Sequence, residues 1–387
     1  MNRLWEQLAI AANWPILAAV GVLSGMGILS IWSNDPETGI KQLAFLLIAF
    51  GAMGLFQTVN YLKLGRLAWI FFSLSLLLVL YTVVGRYVGV PGVRMIKGAC
   101  NWISFGPVSL QPAELVKVSF IMVLARYLRY RTTYRTLRGL LIPLGLALVP
   151  MVLILKQPDL GTVLVFIPTT FVMLFVAGAK LKHFAILGGI CLALAPVGWL
   201  AGTELPVFRH LPSVVKEYQR ERVYAMFRDD EATLMETGFQ QHRALIAFGS
   251  GGVSGKGAGE IPIGHRVPES HNDMIFALVG EQFGFMGAMV MLVAYVVLFT
   301  AGIEIAGNTK EPFGRLLAVG VVACLAGQTF LNIMVCLKLM PVTGVTLPFV
   351  SAGGSSLIAS FMAAGLLLNI GQNRPWMLSP EAFQHAD

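Results

Sequence analysis

Charged side chains are scarce in this sequence. Asp, Glu, Lys and Arg make up only 12% of its 387 residues, whereas 56% are hydrophobic and the mean hydropathy is +0.73. A soluble domain usually carries about a quarter of its residues as charged ones. The scarcity therefore excludes a soluble protein of this length and indicates an integral membrane protein that crosses the bilayer several times.

Cysteine is also rare, and its four positions offer neither a disulfide framework nor a CxxC metal site. Cys191, Cys324 and Cys336 lie in apolar runs, and Cys100 stands alone outside them. Cysteine chemistry is therefore not expected to carry the function.

A nucleotide site is missing as well. The string SGGVSGKG (residues 250–257) resembles a P-loop, yet Ser250 and Gly257 stand where that motif requires Gly and Ser or Thr. We therefore expect no nucleotide cofactor. The glycines between Gly249 and Glu260 instead allow the backbone to approach another surface or a ligand, or form a flexible turn with no ligand.

Apolar runs long enough to cross a hydrocarbon core of about 30 Å are abundant. About ten of them begin near Pro15, Ile40, Leu67, Ala113, Gly139, Leu160, Phe184, Asp273, Leu316 and Ser351. We predict an all-α polytopic integral membrane protein that forms a single transmembrane domain over residues 1–387. A long extracytoplasmic loop, residues 203–272, is expected between helices 7 and 8.

Lysine and arginine cluster in loops that fall on one side of this topology. The loop RYLRYRTTYRTLRG (residues 126–139) holds five arginines and no acid, and Lys63, Arg66, Lys180 and Lys182 mark two more basic loops. The positive-inside rule assigns this side, and both termini, to the cytoplasm. The net charge of +8 then reflects contact with anionic lipid. We expect no nucleic-acid partner, because a basic patch with stacking aromatics in a soluble domain is lacking.

Two ionisable residues lie inside an apolar run, where a charge costs on the order of 2.5 to 3.5 kcal/mol at a helix centre. The string LQPAELVK places Glu114 and Lys117 three residues apart, so they share a helical face and can pair. Pro112 at the first helical position also permits a plainer interpretation, in which Glu114 is only a helix-dipole partner beside a lysine. We favour a functional pair that faces a water-filled cavity.

Carboxylates also lie at the starts of two further predicted spans. Asp159 in KQPDLGT fits an N-cap as well as it fits a functional acid. In VPESHNDMIF (residues 267–276), Glu269, His271 and Asp273 crowd the start of a long apolar run. Because a carboxylate there is costly unless the protein uses it, we predict a functional site.

An uncharged segment rich in Pro, Gly, Thr and Ser, Leu339–Ser356, separates the last two spans. Lipid would leave its backbone unsatisfied, so we expect it to line a cavity. The long loop supplies basic residues on the same side: Arg209, Arg220, Arg222, Arg243 and Arg266. An outward-facing polar cavity of this kind suits an anionic, lipid-linked substrate.

Several strings carry a family resemblance: LQPAELVK, KQPDLGT, YQRERV, IAFGSGGVSGKG, VPESHNDMIFALVGEQFGFMG and PVTGVTLPFVSAGGSS. In this order, and over nearly the whole chain, they resemble the SEDS family (shape, elongation, division and sporulation) of membrane peptidoglycan glycosyltransferases. KQPDLGT and PVTG are more similar to the rod-shape members than to the division members.

The resemblance implies polymerisation of lipid II in the bacterial inner membrane during cell elongation, lateral wall synthesis and rod-shape maintenance. Asp273 matches the family's essential aspartate and would be the general base, or would hold a divalent cation, Mg²⁺ or Mn²⁺. Glu114 and Lys117 complete the implied catalytic set, and Lys117 and Arg222 would offset pyrophosphate charge. The implied substrate-binding residues are Arg222, Trp102, His271, Glu269, Arg243, Asp159 and Ser355.

Four residues depart from the family's pattern. Asn101 precedes the tryptophan where members commonly have Arg, and Arg243 stands where Gln is usual. Ala352 replaces a tyrosine, and Asn272 replaces the threonine beside the aspartate. One positive charge is lost and another is gained, which predicts a rearranged phosphate site.

Two other functions stay open. A lipid II flippase needs a cavity and a charge pair but no general base, and an inactive scaffold for cell-wall enzymes needs neither. An indispensable Asp273 distinguishes polymerisation from both. The resemblance also implies a class B penicillin-binding protein, the transpeptidase, as partner, beside other membrane proteins of the elongation complex.

Overall fold

The computed structural model describes residues 13–373 except 94, 96–98, 107, 204–209, 211–214, 229–237, 260–261 and 265–266. Its long helices are α1 (Trp14–Asn34), α2 (Pro36–Thr58), α4 (Ala68–Val88), α5 (Pro112–Tyr130), α6 (Leu141–Leu155), α7 (Leu160–Ala177), α8 (Leu181–Leu200), α11 (Ile275–Asn308), α12 (Pro312–Cys336) and α13 (Gly354–Asn373). Shorter elements are α3 (Tyr61–Arg66), α9 (Glu217–Phe227), α10 (Phe239–Ser250) and an antiparallel hairpin of β1 (Ile103–Phe105) and β2 (Val108–Leu110).

The predicted fold class is confirmed. Over the described ranges, nine helices are long and apolar enough to cross a membrane. Helix α5 has a similar length, 19 residues, but it carries four charged side chains, including Glu114 and Lys117. Such a helix is tolerated only when protein surrounds its charges, and most of α5 is indeed buried.

The basic loops meet at one end of the bundle, as the sequence predicts. Arg126 Nη1 donates a hydrogen bond to the Gly65 carbonyl oxygen over 2.7 Å. Arg129 Nε lies 3.1 Å from Glu311 Oε1. The Tyr134 hydroxyl reaches the carbonyl at the end of α7 over 2.9 Å. We call this the basic end, and the functional candidates lie at the other end.

Two helices occupy opposite extremes of burial. Helix α13 is almost wholly buried and packs against α2, α5 and α12, so it forms the centre of the bundle. Helix α8 has no buried residue and stands at the periphery. A helix that is hydrophobic all round and exposed in this way faces lipid.

Helix α11 is broken, and this differs from the single straight span expected from Asp273 onward. Its 34 residues would reach about 51 Å, well beyond a hydrocarbon core of about 30 Å. Gly284 breaks it with φ 65° and ψ −163°, a conformation that requires glycine. Residues 275–282 are all buried and form a half-helix at the end opposite the basic end, while residues 285–308 are long enough to span the membrane.

The described part of the long loop between α8 and α11 contains two helices, α9 and α10. The helix expected in SVVKEYQRERVYAMF is present as α9, an 11-residue helix in which Ala225 alone is buried; residues 211–214 lie outside the described part. Helix α10 packs along α11, with the rings of Phe248 and Phe276 stacked 5.3 Å apart. The loop is therefore anchored to the half-helix.

Candidate active site

Asp273 lies just before the half-helix and is partly exposed. Its backbone carbonyl accepts a hydrogen bond from Asn332 Nδ2 over 2.8 Å. Its carboxylate faces the uncharged segment, because a Cβ placed on Gly344 would lie 3.6 Å from Asp273 Oδ2. The aspartate is thus fixed at the rim of the bundle between the half-helix and residues 341–344.

The uncharged segment is held by side chains from the surrounding helices. Asn332 Nδ2 also donates to the Val345 carbonyl over 2.7 Å, and the Tyr295 hydroxyl donates to the Pro348 carbonyl over 2.5 Å. Gln42 binds the segment twice, donating to the Ser351 carbonyl over 3.1 Å and accepting from the Gly353 amide over 3.2 Å. Protein side chains therefore bind this backbone, so that lipid does not have to solvate it. Of the segment expected to line a cavity, Pro341, Val342 and Thr343 border a cavity of about 40 Å³.

The residues around Asp273 are tied to the same segment. The Ala352 amide donates to the His271 carbonyl over 2.8 Å, and the Ser351 hydroxyl donates to the Asn272 carbonyl over 2.6 Å. Asn272 Nδ2 donates to Glu269 Oε2 over 2.7 Å, and Glu269 has a left-handed φ of 54°. A non-glycine residue in this conformation persists only where its surroundings enforce it.

Glu114 and Lys117 form the predicted pair. Lys117 Nζ lies 2.9 Å from Glu114 Oε1, and both residues are only 4% exposed. A cavity of about 10 Å³ beside them is lined also by Gln328 and Ser360, so it has room for about one water molecule. The pair is buried and protein-enclosed rather than open to a wide water-filled cavity.

Asp159 caps α7 and also joins the polar cluster around the pair. Its carboxylate accepts bonds from the Thr162 amide and hydroxyl over 2.9 and 2.8 Å, and from Gln111 Nε2 over 3.4 Å. Burial raises the pKa of the Asp159 carboxyl, whereas the Thr162 bonds and the Lys117 ammonium oppose that rise. The N-cap interpretation is correct, and the carboxylate lies within electrostatic reach of Lys117.

Ser355 makes structural contacts with the hairpin. Its hydroxyl accepts from the Gln111 amide over 2.9 Å and donates to the Ser109 carbonyl over 3.2 Å. These bonds tie strand β2 and the start of α5 to α13. The proposed substrate role of Ser355 stays a prediction, because its hydroxyl is already engaged by backbone.

Arg222 on α9 borders a cavity that Val342 also lines. Its Nη1 donates to the Val342 carbonyl over 3.0 Å, two residues before Gly344. The cavity measures about 350 Å³ and is lined by Tyr218, Glu221, Arg222, Phe239, Gln240, Pro268 and Val342. A smaller cavity of about 40 Å³ continues from it toward Pro158 and Thr343. Aromatic faces, an arginine and amide groups together suit a glycan that carries negative charge.

The other predicted residues are more scattered. Arg243 is partly buried, and its guanidinium stacks on the Phe239 ring at 5.1 Å, beside the cavity. Trp102 is partly buried and directly precedes strand β1. Arg209 and Arg266 lie outside the described residues.

Residues 341–344 contact Arg222, the start of α7 and Asp273. Val342 binds Arg222. The Thr343 carbonyl packs so closely on Gly161 that a Cβ at that glycine would lie 2.3 Å from the oxygen. Gly344 faces the Asp273 carboxylate. The structure therefore places Asp273, Arg222 and the start of α7 around one short segment.

Sequence reasoning missed the two amides that hold this arrangement, Gln42 and Asn332. Each is buried within an apolar helix, at 3% and 1% exposure. A polar amide in such a run is costly unless it is hydrogen-bonded. An amide inside an apolar run was therefore the available signal, but it does not identify the hydrogen-bond partners of Gln42 and Asn332.

A divalent cation can be accommodated in one way. Across the described ranges, no group of three or more His, Cys, Asp and Glu side chains could hold a metal ion. Mg²⁺ is, however, commonly bound by one or two carboxylates together with substrate phosphate oxygens and water. Asp273 fits this mode, because it is partly exposed and its carboxylate faces Gly344.

Comparison with known proteins gives a family match along nearly the whole chain. A family model described as cell cycle protein, covering FtsW, RodA and SpoVE, matches residues 7–375. Stage V sporulation protein E of Bacillus subtilis (strain 168) is 33% identical over 366 residues, 92% of this chain and 94% of that protein. A probable peptidoglycan glycosyltransferase FtsW of Thioalkalivibrio sp. (strain K90mix) is 35% identical over 381 residues, 94% of this chain and 90% of that protein.

Solved structures resemble the chain over the same extent. One, described as structural coordination of polymerization and crosslinking by a peptidoglycan synthase complex, has a TM-score of 0.76 at 29% identity and covers 94% of this chain and 98% of its own. The rod shape determining protein RodA of Thermus thermophilus has a TM-score of 0.66 at 26% identity, with coverage of 93% and 97%. The similarities in sequence and in fold therefore agree.

Replacing Lys117 by methionine is expected to destabilise the protein strongly. The Lys117→Met variant leaves the Glu114 carboxylate buried without its cation, a loss on the order of 3 to 5 kcal/mol. Thermal unfolding in detergent measures the effect. The double variant Glu114→Gln/Lys117→Met should recover much of the lost stability; equal melting temperatures of the single variant and the wild type would show that the pair does not constrain the fold.

Proposed function

Because the chain belongs to the FtsW/RodA/SpoVE family of cell cycle proteins, we propose that it is a peptidoglycan glycosyltransferase that polymerises lipid II into glycan strands. The observation that carries the proposal is the position of Asp273. This carboxylate faces Gly344, two residues beyond Val342, which lines the cavity of about 350 Å³, and Asn332 holds the aspartate backbone in place. A position of this kind serves a group that reacts with a lipid-linked substrate.

In the proposed reaction, the 4-hydroxyl of the acceptor's N-acetylglucosamine attacks C1 of the donor sugar. The bond between C1 and the pyrophosphate oxygen breaks, and undecaprenyl pyrophosphate leaves with the bonding electron pair. The hydroxyl proton passes to the Asp273 carboxylate, which acts as general base. Asn332 supports this role by holding the aspartate backbone in place.

Negative charge grows on the leaving pyrophosphate, so the reaction needs positive charge nearby. Arg222 lines the cavity and is oriented by its bond to Val342. Lys117 lies deeper, with Glu114 orienting it. Arg222 is exposed and can contact the pyrophosphate directly, whereas Lys117 is buried and paired with Glu114.

A divalent cation, Mg²⁺ or Mn²⁺, is part of the proposal. Asp273 would hold it together with substrate oxygens. When bound there, the cation would add positive charge against the pyrophosphate. No nucleotide takes part, since the activated sugar arrives already linked to pyrophosphate.

The proposed setting is the bacterial inner membrane, with the basic end of the bundle in the cytoplasm. The contacts of Arg126, Arg129 and Tyr134 bring the basic loops together at that end. The positive-inside rule then orients the Asp273 end outward, with both termini in the cytoplasm. Lipid II would be used at the outer face.

A class B penicillin-binding protein is the proposed partner. A structural neighbour over nearly the whole chain belongs to a complex that coordinates polymerization and crosslinking. A transpeptidase of this class would crosslink the strands that this chain makes. Other membrane proteins of the elongation complex are further candidate partners.

Replacing Asp273 by alanine should abolish glycan polymerisation. The assay uses purified lipid II, a divalent cation and the partner transpeptidase, and detects glycan chain length. The matched control is Glu37→Gln, which changes an exposed carboxylate at the same end and should keep activity within about twofold of wild type. Polymer made equally well by the Asp273→Ala variant would refute the base assignment, whereas an inactive wild type would favour the flippase or the scaffold.

Arg222→Gln should lower kcat by about tenfold to a hundredfold, because one cation that stabilises the leaving group is lost. The matched control is Arg228→Gln. Arg228 also lies exposed on a tyrosine ring, at 5.7 Å from Tyr224, but it does not line the cavity. Steady-state polymerisation rates should separate the two variants. Equal losses in both would show that Arg222 acts only through the net charge of the loop.

A role in cell elongation is the finer proposal, supported by the strings at residues 156–162 and 341–344 and by the fold similarity to RodA. The related proteins with FtsW and sporulation names make division the alternative. With its own transpeptidase, the chain should restore rod shape in cells depleted of their elongation polymerase. Microscopy should show no rescue of cells depleted of their division polymerase; rescue of division alone would assign the opposite role.

A further inference from the structure

Glu281 is a fully buried carboxylate whose partners do not include the pair on α5. Lys256 Nζ lies 2.7 Å from Glu281 Oε1, and the side chains are 26% and 0% exposed. The Ile263 and Gly264 amides donate to the same carboxylate over 3.2 and 2.6 Å. The Ser250 hydroxyl receives a bond from Lys256 Nζ over 2.7 Å. One carboxylate thus joins the end of α10, the glycine-rich turn after it and the following loop.

The glycine-rich turn also binds the break in α11 through its backbone. The amides of Lys256 and Gly257 donate to the carbonyls of Glu281 and Gln282, each over 3.0 Å. In return, the Phe285 amide donates to the Gly252 carbonyl over 2.9 Å. The turn therefore satisfies the backbone groups that a helix loses where it breaks. Of the two interpretations of this turn from sequence, close approach to another surface is correct.

These contacts hold the inner end of the half-helix whose outer end carries Asp273. Residues 275–282 are buried on every side. Asp273 precedes Glu281 by eight residues, about 12 Å along a helix. At the outer end, Asn332 holds the Asp273 carbonyl. The half-helix is thus fixed at both ends, and a shift at Glu281 moves the aspartate with it.

A buried ion pair is a costly way to obtain packing alone, because apolar side chains of similar size often stabilise as well or better. It does fix position, since a carboxylate with two amide donors and an ammonium tolerates little movement. Misplacement of a catalytic group by about 1 Å can lower the rate about a hundredfold. The Lys256–Glu281 ion pair is therefore suited to holding Asp273 at a fixed position.

We propose that Lys256 and Glu281 are positioning residues for Asp273, acting through the half-helix at residues 275–282. The inference rests on the proposed function, in which Asp273 is the base. It assigns to the pair a role in turnover, separate from substrate binding, since neither residue lines the cavity beside Arg222.

The test compares Lys256→Met with Lys256→Arg in the full chain bound to its transpeptidase. Lys256→Met should lower kcat for lipid II polymerisation at least tenfold while KM stays within about twofold. Lys256→Arg should recover most of the rate, because the charge is kept. Hydrogen exchange of the amides at residues 274–282 should be at least tenfold faster in Lys256→Met than in the wild type.

The matched control is Arg129→Met, which breaks a buried ion pair of similar kind at the basic end. The melting temperature of Arg129→Met should fall by about as much as that of Lys256→Met. Its kcat should stay within about twofold of wild type, and hydrogen exchange at residues 274–282 should be unchanged. Wild-type kcat and exchange in Lys256→Met, or an equal loss of kcat in Arg129→Met, would overturn the inference. An inactive wild type would instead overturn the proposed function, and the exchange data would still decide whether the pair holds the half-helix.

Discussion

Irregular backbone inside a membrane protein must find its hydrogen-bond partners within the protein, and this constraint shapes the half of the molecule opposite the basic end. Two irregular stretches meet there, residues 267–274 and 341–353. Backbone groups in both stretches bind each other or buried amides such as Gln42 and Asn332. Because these bonds fix the backbone on both sides of Asp273, the position of the candidate base follows from the same requirement that makes the fold possible in a bilayer.

Buried charge obeys the same rule. The Glu114–Lys117 pair, the Glu281–Lys256 pair and the Arg129–Glu311 pair each bring an acid and a base together in the interior. The Glu114–Lys117 pair joins two turns of α5. The Glu281–Lys256 pair joins the glycine-rich turn to α11 beside its break, and the Arg129–Glu311 pair joins α5 to the start of α12 at the basic end. Removing one partner would leave an uncompensated charge, so the pairs restrict how these segments can move.

Features that depend on residues close together in the sequence could be predicted. Glu114 and Lys117 lie three residues apart on one helix, so their pairing follows from helical geometry. The number of spans and the clustering of basic loops follow from hydropathy and charge. The break at Gly284 was not predicted, because the apolar run continues through it. The partners Lys256 of Glu281 and Asn332 of Asp273 were also missed, since they lie 25 and 59 residues away and no local pattern specifies such contacts.

The base and the cation of the proposed reaction are fixed to one short element, and this bears on how a mobile lipid substrate could react. Arg222 is bound to Val342, and Gly344 faces the Asp273 carboxylate. A guanidinium has five donors, so the bond to Val342 leaves capacity for a phosphate. Because residues 341–345 are themselves held by Asn332, the distance between the two groups is set before the substrate binds. Such preorganisation lets the enzyme stabilise developing charge without rearranging its own backbone during the reaction.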